Sequence, residues 1–182
     1  MLSFESLRRF VLALSVVVFA MPCFSTVYFS KDEALEMAFG TDASVELLSL
    51  FPTESQIVQI EQLAKSKLES NLISVFVGKK QGQIVGYAMI ESHNVRTQPE
   101  TMLLVVDAAG NLANLRILAF HEPPEYQPPD RWYAKLLNLP LEKLSFDTDV
   151  QAVSGATLSS RAALNGARKL LAIYQVMLKK TQ

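Results

Sequence analysis

The sequence predicts an α+β fold: a single domain whose antiparallel sheet of hairpins packs against helices and whose chain closes on a long C-terminal helix. Three observations carry this. Two pairs of apolar, β-prone runs flank the short loops Lys79-Lys80-Gln81-Gly82 and Asp107-Ala108-Ala109-Gly110, the pattern of hairpins and therefore of antiparallel pairing. Ala163, Ala167, Leu170, Leu171, Tyr174, Met177 and Leu178 recur at helical spacing near the end of the chain, marking one buried helix face. A length of 182 residues suffices for one domain with a substantial core.

The elements follow in chain order. Arg8 and Arg9 precede an apolar run from Phe10 to Met21, then Pro22 and small residues. This reads residues 1–25 as a secretory signal peptide cut after Ser25 or Ala20. The competing reading is an uncleaved N-terminal membrane anchor with its basic end inside. Residues 26–70 are expected as a helical N-terminal segment. Ser30-Lys31-Asp32-Glu33 has capping-box spacing and opens a helix through Phe39, which Gly40 stops. Val45 to Phe51 reads as a short strand or connector. Thr53-Glu54-Ser55-Gln56 repeats the capping box before a second helix marked by Ile57, Ile60, Ala64 and Leu68.

Residues 71–182 hold the rest. Strands are expected over Ile73–Val77, Gln83–Ile90, Met102–Val106 and Asn111–Phe120, with the polar stretch His93–Glu100 as a loop. His121 to Asp130 contains four prolines and is expected to be irregular. Arg131–Leu139 is expected as a short helix and Leu158–Lys179 as the final one. Trp132, Tyr126 and Tyr133 follow the proline-rich loop. They either pin it to the sheet or offer a ring for stacking.

Composition excludes several chemistries. The formal net charge of −1 advertises no basic face, so nucleic acid is not an expected partner. Cys23 is the only cysteine and lies in the N-terminal segment. A domain matured by removal of that segment has no disulfide, thiolate metal site or cysteine nucleophile. Neither histidine has the neighbours of a metal cluster, and the serines lack a hydrolase elbow and its partners.

The most informative stretch is Val153-Ser154-Gly155-Ala156-Thr157-Leu158-Ser159-Ser160, directly before the last helix. The first amides of a helix lack intrahelical acceptors and favour an anion. Gly155 permits close backbone approach, Ala156 adds little bulk, and Thr157 or Ser159 would set a hydroxyl beside those amides. A phosphate fits there, free or esterified. The plainer reading of the same residues is that Thr157 caps the helix.

On Ser154-Gly155-Ala156-Thr157, Gly86-Tyr87-Ala88, Asp107 with Gly110, and His121-Glu122-Pro123, the chain resembles the FMN-binding domain family between about Ile73 and Tyr174. That family is known from the G subunit of Rnf electron-transport complexes and the C subunit of sodium-pumping NADH:quinone oxidoreductases. The resemblance implies FMN held covalently by a phosphoester to Thr157, attached from FAD by a separate flavin transferase. It also implies cofactor contacts from Ser154, Gly155, Ala156, Leu158, Ser159, His121 and Glu122. Two positions depart from the family pattern. Gln151 stands where members commonly carry an acidic residue, with Asp149 two residues earlier, and Pro124 breaks the usual glycine-bearing loop after His121.

The expected function is an exported electron carrier at the periplasmic or outer face of the cytoplasmic membrane. It would pass electrons between redox partner proteins, including a membrane electron-transport complex. The alternative is an exported binding or adaptor module that keeps the fold without the flavin. A third, weaker reading is a reductase of small electron acceptors.

Overall fold

A computed structural model describes residues 26–148 and 150–179. The expected signal or anchor segment, with Cys23, lies outside the described residues, as does Asp149. Strands β1 (Thr26–Val27), β2 (Ser44–Leu50), β3 (Ile73–Lys80), β4 (Gln83–Asn94), β5 (Pro99–Asp107) and β6 (Leu112–Phe120) form one sheet in the order β1-β6-β5-β4-β3-β2. Every pairing is antiparallel. Helices α1 (Lys31–Phe39), α2 (Glu54–Ala64), α3 (Asp130–Tyr133) and α4 (Thr157–Ile173) complete the α+β fold. The segment 26–70 thus contributes both sheet edges as well as two helices.

Local chemistry fixes the element boundaries. Ser30 and Thr53 form reciprocal capping boxes with Glu33 and Gln56, satisfying helix-start amides from side chains three residues on. The β3–β4 hairpin turns through Gln81 and Gly82, with φ of 50° and 80°. Two left-handed central residues give the turn whose twist matches that of the strands it joins.

Alternation along the strands then builds a core on each face. Ala88, Leu103, Val105 and Leu118 meet Ala34, Leu35 and Phe39 of α1. Tyr87, Met89, Met102, Leu104 and Val106 meet α2, α4 and the irregular segments. The central strand β5 is buried on both faces, so shortening Leu104 to alanine would cost about 2–5 kcal/mol. Phe39 lies directly over Gly78, where a Cβ would come within 2.3 Å of its ring. Arg168 crosses the α2–α4 interface and donates to the carbonyls of Ala64 and Leu63, at the end of α2, and of Leu141 and Leu144. One guanidinium therefore closes a helix end and a connecting turn together.

Three expectations change. The stretch His93–Glu100 is not a loop: β4 runs to Asn94, β5 begins at Pro99, and His93 pairs opposite Glu100. Its polar residues belong to paired strands rather than to a loop, and Thr101 still donates a 3.1 Å hydrogen bond to Ser92 across the pair. The helix expected over Arg131–Leu139 is the four-residue α3 followed by a 3-10 turn over Ala134–Leu136, and the chain then reverses at left-handed Asn138. The last helix starts at Thr157, within a residue of expectation, but its end differs, widening to a π-helical turn at Tyr174–Leu178. There Tyr174 donates to the Ala108 carbonyl at 2.8 Å, beneath the β5–β6 loop.

Candidate functional site

Three loops converge on the start of α4. The first is the tight β4–β5 turn, Val95 to Gln98, closed by a 3.1 Å bond from the Val95 amide to the Gln98 carbonyl. The second follows β6 and contains a 3-10 turn at Pro124–Tyr126. The third is the turn before α4, where the Ala156 amide donates to Val153 and Gly155 has φ 84°. A side chain at that φ costs roughly 1–2 kcal/mol. A Cβ on Gly155 would meet only the Glu125 carbonyl, at 3.9 Å. The glycine is required by conformation, then, more than by crowding.

The first turn of α4 has no side-chain cap; its N-cap is Ala156. The first intrahelical bond is from the Ser160 amide to Ala156. The amides of Thr157, Leu158 and Ser159 therefore have no acceptor among the described residues, and the positive end of a 17-residue helix is open. Capping by Thr157 is not what the hydroxyl does: Thr157 Oγ1 points back to the Val153 carbonyl at 3.3 Å, a long bond on an exposed side chain.

The neighbouring hydroxyls are committed elsewhere. Ser159 is fully buried and donates to the Tyr126 carbonyl at 2.6 Å, tying α4 to the second loop. Ser160, also fully buried, donates to Ala156 and accepts from the Val153 amide. Ser154 is exposed in the turn.

A cleft of about 130 Å³ lies at this junction, lined by Val95, Arg96, Tyr126 and residues 155–159. It joins Gly155, Ala156, Thr157, Leu158 and Ser159 of the sequence-expected residues. Ser154, His121 and Glu122 are not in its lining. His121 is half-buried and its amide holds the Pro99 carbonyl at 3.1 Å. Glu122 is buried and accepts from the amides of Arg96, Thr97 and Gln98 at 3.1, 2.5 and 2.8 Å. The Thr97 amide first, then those of Gln98 and Arg96, hold its carboxyl below the usual range despite burial. Glu122 thus builds the β4–β5 turn and leaves the wall of the cleft to others.

What Glu122 positions is Arg96, which the sequence reading left inside a polar loop. Arg96 donates to the Tyr126 hydroxyl at 3.2 Å and lies 5.5 Å from that ring's centre, a cation–π arrangement. A fixed guanidinium beside three open helix amides makes the cleft electropositive and supplies donors to an anion from two sides. Its only sequence signal was a cation in a short turn between two strands. Trp132 packs edge-on to Tyr133 at 5.4 Å and donates to the Gln151 carbonyl at 2.6 Å, so it pins the segment leading to the turn.

These residues fit the phosphate end of a flavin mononucleotide: open amides, an adjacent guanidinium, a glycine that lets the backbone approach, and one accessible hydroxyl. Among the described residues, no helix is long and apolar enough to cross a membrane. No curated protein and no solved structure matches the chain. Residues 70–172, which run from β3 into α4 and include the three loops just described, match the family model of the FMN-binding domain, and the chain therefore belongs to the FMN-binding domain family.

Proposed function

We propose that this protein is an exported flavoprotein electron carrier whose FMN is esterified through its phosphate to Thr157. The observation that carries the reading is the uncapped start of α4 beside Arg96, with Thr157 the exposed hydroxyl in the cleft, in a chain that belongs to an FMN-binding family. Bound FMN supplies one- and two-electron chemistry; the protein supplies position, field and shelter from solvent.

Loading is taken from what the family resemblance implies, transfer of the FMN moiety of FAD by a separate transferase. Thr157 Oγ1 forms a bond to the flavin phosphorus of FAD, the pyrophosphate bond breaks, AMP leaves, and the hydroxyl proton is lost to solvent or to a base of the transferase. The amides of Thr157, Leu158 and Ser159 and the Arg96 guanidinium then hold the remaining negative charge. Ser159 and Ser160 are poor competitors because both hydroxyls are buried and engaged. A covalent link suits a carrier working outside the cytoplasm, where lost cofactor is not recovered. Electrons would pass between redox partner proteins, including a membrane electron-transport complex.

The test is Thr157→Val in the full chain produced with a flavin transferase. Loss of covalent flavin with folding retained supports the assignment; covalent flavin persisting on a neighbouring serine refutes it. Gln151, in place of the family's common acidic residue, favours a second reading, an adaptor that keeps the fold without flavin. Colourless wild-type protein of unmodified mass, despite an active transferase, would establish that reading instead.

A further inference from the structure

The two edges of the sheet are guarded differently. At one edge β1 is two residues long, β6 beside it pairs with β5 through two register shifts, and Arg116 stands exposed on β6. A short strand, an irregular ladder and a charge are devices that keep a sheet edge from pairing further. At the other edge β2 has little of this. Its seven residues, Ser44–Leu50, pair with β3 without a shift and include no proline and no basic residue. Its one charge, Glu46, is matched by Lys79 of the same chain at 2.7 Å. We infer that β2 is a self-association edge: two copies of this chain pair β2 with β2, antiparallel about a two-fold axis at Leu47, and join their six-stranded sheets into one. The inference goes beyond flavin binding and does not depend on it.

What selects a second copy is the strand's own sequence. Val45 pairs opposite Gly78, which lies under Phe39 of α1, so alternation puts Val45, Leu47 and Ser49 on the α1 side of the sheet and Glu46 and Leu48 on the other. A two-fold axis at Leu47 sets Leu47 opposite Leu47, Val45 opposite Ser49, Glu46 opposite Leu48 and Ser44 opposite Leu50. All seven residues pair, and odd positions meet odd ones. The outward backbone groups of an edge strand alternate along it, so this pairing matches the donors and acceptors of both copies. No charge meets a like charge. Moving the axis to Glu46 would set two carboxylates opposite each other, which destabilises a sheet. Moving it to Leu48 would bring Pro52, which has no amide to donate, opposite Ser44.

The apolar surface agrees with the pairing. Leu47 is 59% exposed, and Phe51, one residue past the strand, is 72% exposed. Exposed Leu72 lies beside Phe51, because Leu50 pairs with Ile73. Helix α1 packs over Ala88, Leu103, Val105 and Leu118 and leaves this strip open. A continuous apolar strip along an unguarded edge marks an interaction site. In the joined sheet, Leu47 of each copy covers that of the other, and the same ladder carries Phe51 of each copy to Ala43 of the other, beside Val45. A contact of this isologous kind closes after two copies and does not propagate. No residue of β2 lines the cleft at Thr157, so both clefts stay open in the pair.

The test uses the full chain as wild type, Leu47→Lys, Leu47→Cys and Val27→Cys, the two cysteine variants carrying Cys23→Ser so that each holds a single thiol. Sedimentation velocity reports mass in solution, and mild oxidation followed by mass spectrometry reports which chains link. The expected wild type is a dimer that dissociates on dilution. Leu47→Lys should sediment as a monomer where wild type is paired, with unchanged far-ultraviolet dichroism because the side chain is exposed. Leu47→Cys should link two chains, since opposed Cα atoms of an antiparallel pair lie about 4.5–5.5 Å apart, within the reach of a disulfide. Val27→Cys should stay unlinked. A wild type that is monomeric at every concentration overturns the inference, and so does an association that Leu47→Lys leaves intact. Linkage through Val27→Cys in place of Leu47→Cys also overturns it, by moving the contact to the other edge. A monomer whose Leu47→Cys thiol links in cells to a different protein overturns it too, and gives the edge to that protein.

Discussion

Glu100 gives the fold a pH dependence that can be worked out in advance. It sits on β5 with none of its surface exposed, and neither carboxyl oxygen has a hydrogen-bond partner. Burial pushes its pKa from 4.5 up to about 8, because the ionised form loses its water and gains nothing in return. Below about 4.5 the carboxyl is protonated in both the folded and the unfolded chain. Above about 8 it is ionised in both. Between those values the folded state holds the proton more tightly, so folding stability falls as pH rises. At ~1.4 kcal/mol per pH decade the full fall is roughly 5 kcal/mol. Glu100→Gln keeps the shape and removes the titration. Denaturant midpoints of both proteins at several pH values from 4 to 9 should give difference curves that rise in favour of the variant across that window and level off above it. His93 acts in the opposite sense. Burial lowers its pKa, so it adds stability as pH rises toward the usual histidine range, and the difference curve cancels this because both proteins carry it. Parallel stability curves for the two proteins would refute the reasoning.

Further outcomes follow from the packing and the cleft. Arg168→Met should cost ~3–5 kcal/mol in denaturant unfolding, since four buried carbonyls lose their donor at once. Gly78→Ala should cost ~1–3 kcal/mol by forcing the Phe39 ring off the sheet, seen as a lowered thermal midpoint. Glu122→Ala should release the β4–β5 turn, so that hydrogen exchange at the amides of Thr97 and Gln98 accelerates and flavin loading at Thr157 slows. Arg96→Ala should slow loading in the same way while leaving unfolding within ~0.5 kcal/mol of wild type, because its side chain is exposed.

How much of this was legible beforehand depends on how local each signal is. Both capping boxes, the hairpin turn at Gln81-Gly82 and the start of the last helix are written in residues that touch within a few positions, and they are where the sequence places them. The extra length of β4 and β5 was not legible, because polar residues from Ser92 to Gln98 read as a loop until their partners across the pair are known. Arg96 was left inside that loop for the same reason, and so was the link between Glu122 and the turn. The carboxylate shapes a turn some 25 residues upstream, which no window of sequence contains. Glu122 entered only through the family resemblance, and the guanidinium it positions went unmarked within the polar stretch His93–Glu100. The plainer reading of Thr157 as a helix cap failed on geometry alone, since its hydroxyl turns back toward Val153.

The claim on which the account turns is that Thr157 is a covalent attachment point. Peptide mapping by mass spectrometry, on full-length protein produced beside an active flavin transferase, measures it directly. The account predicts that the peptide spanning residues 154–161 carries one added FMN moiety, and that fragmentation places it on Thr157. The same peptide recovered unmodified, or modified at Ser154, Ser159 or Ser160, would contradict it.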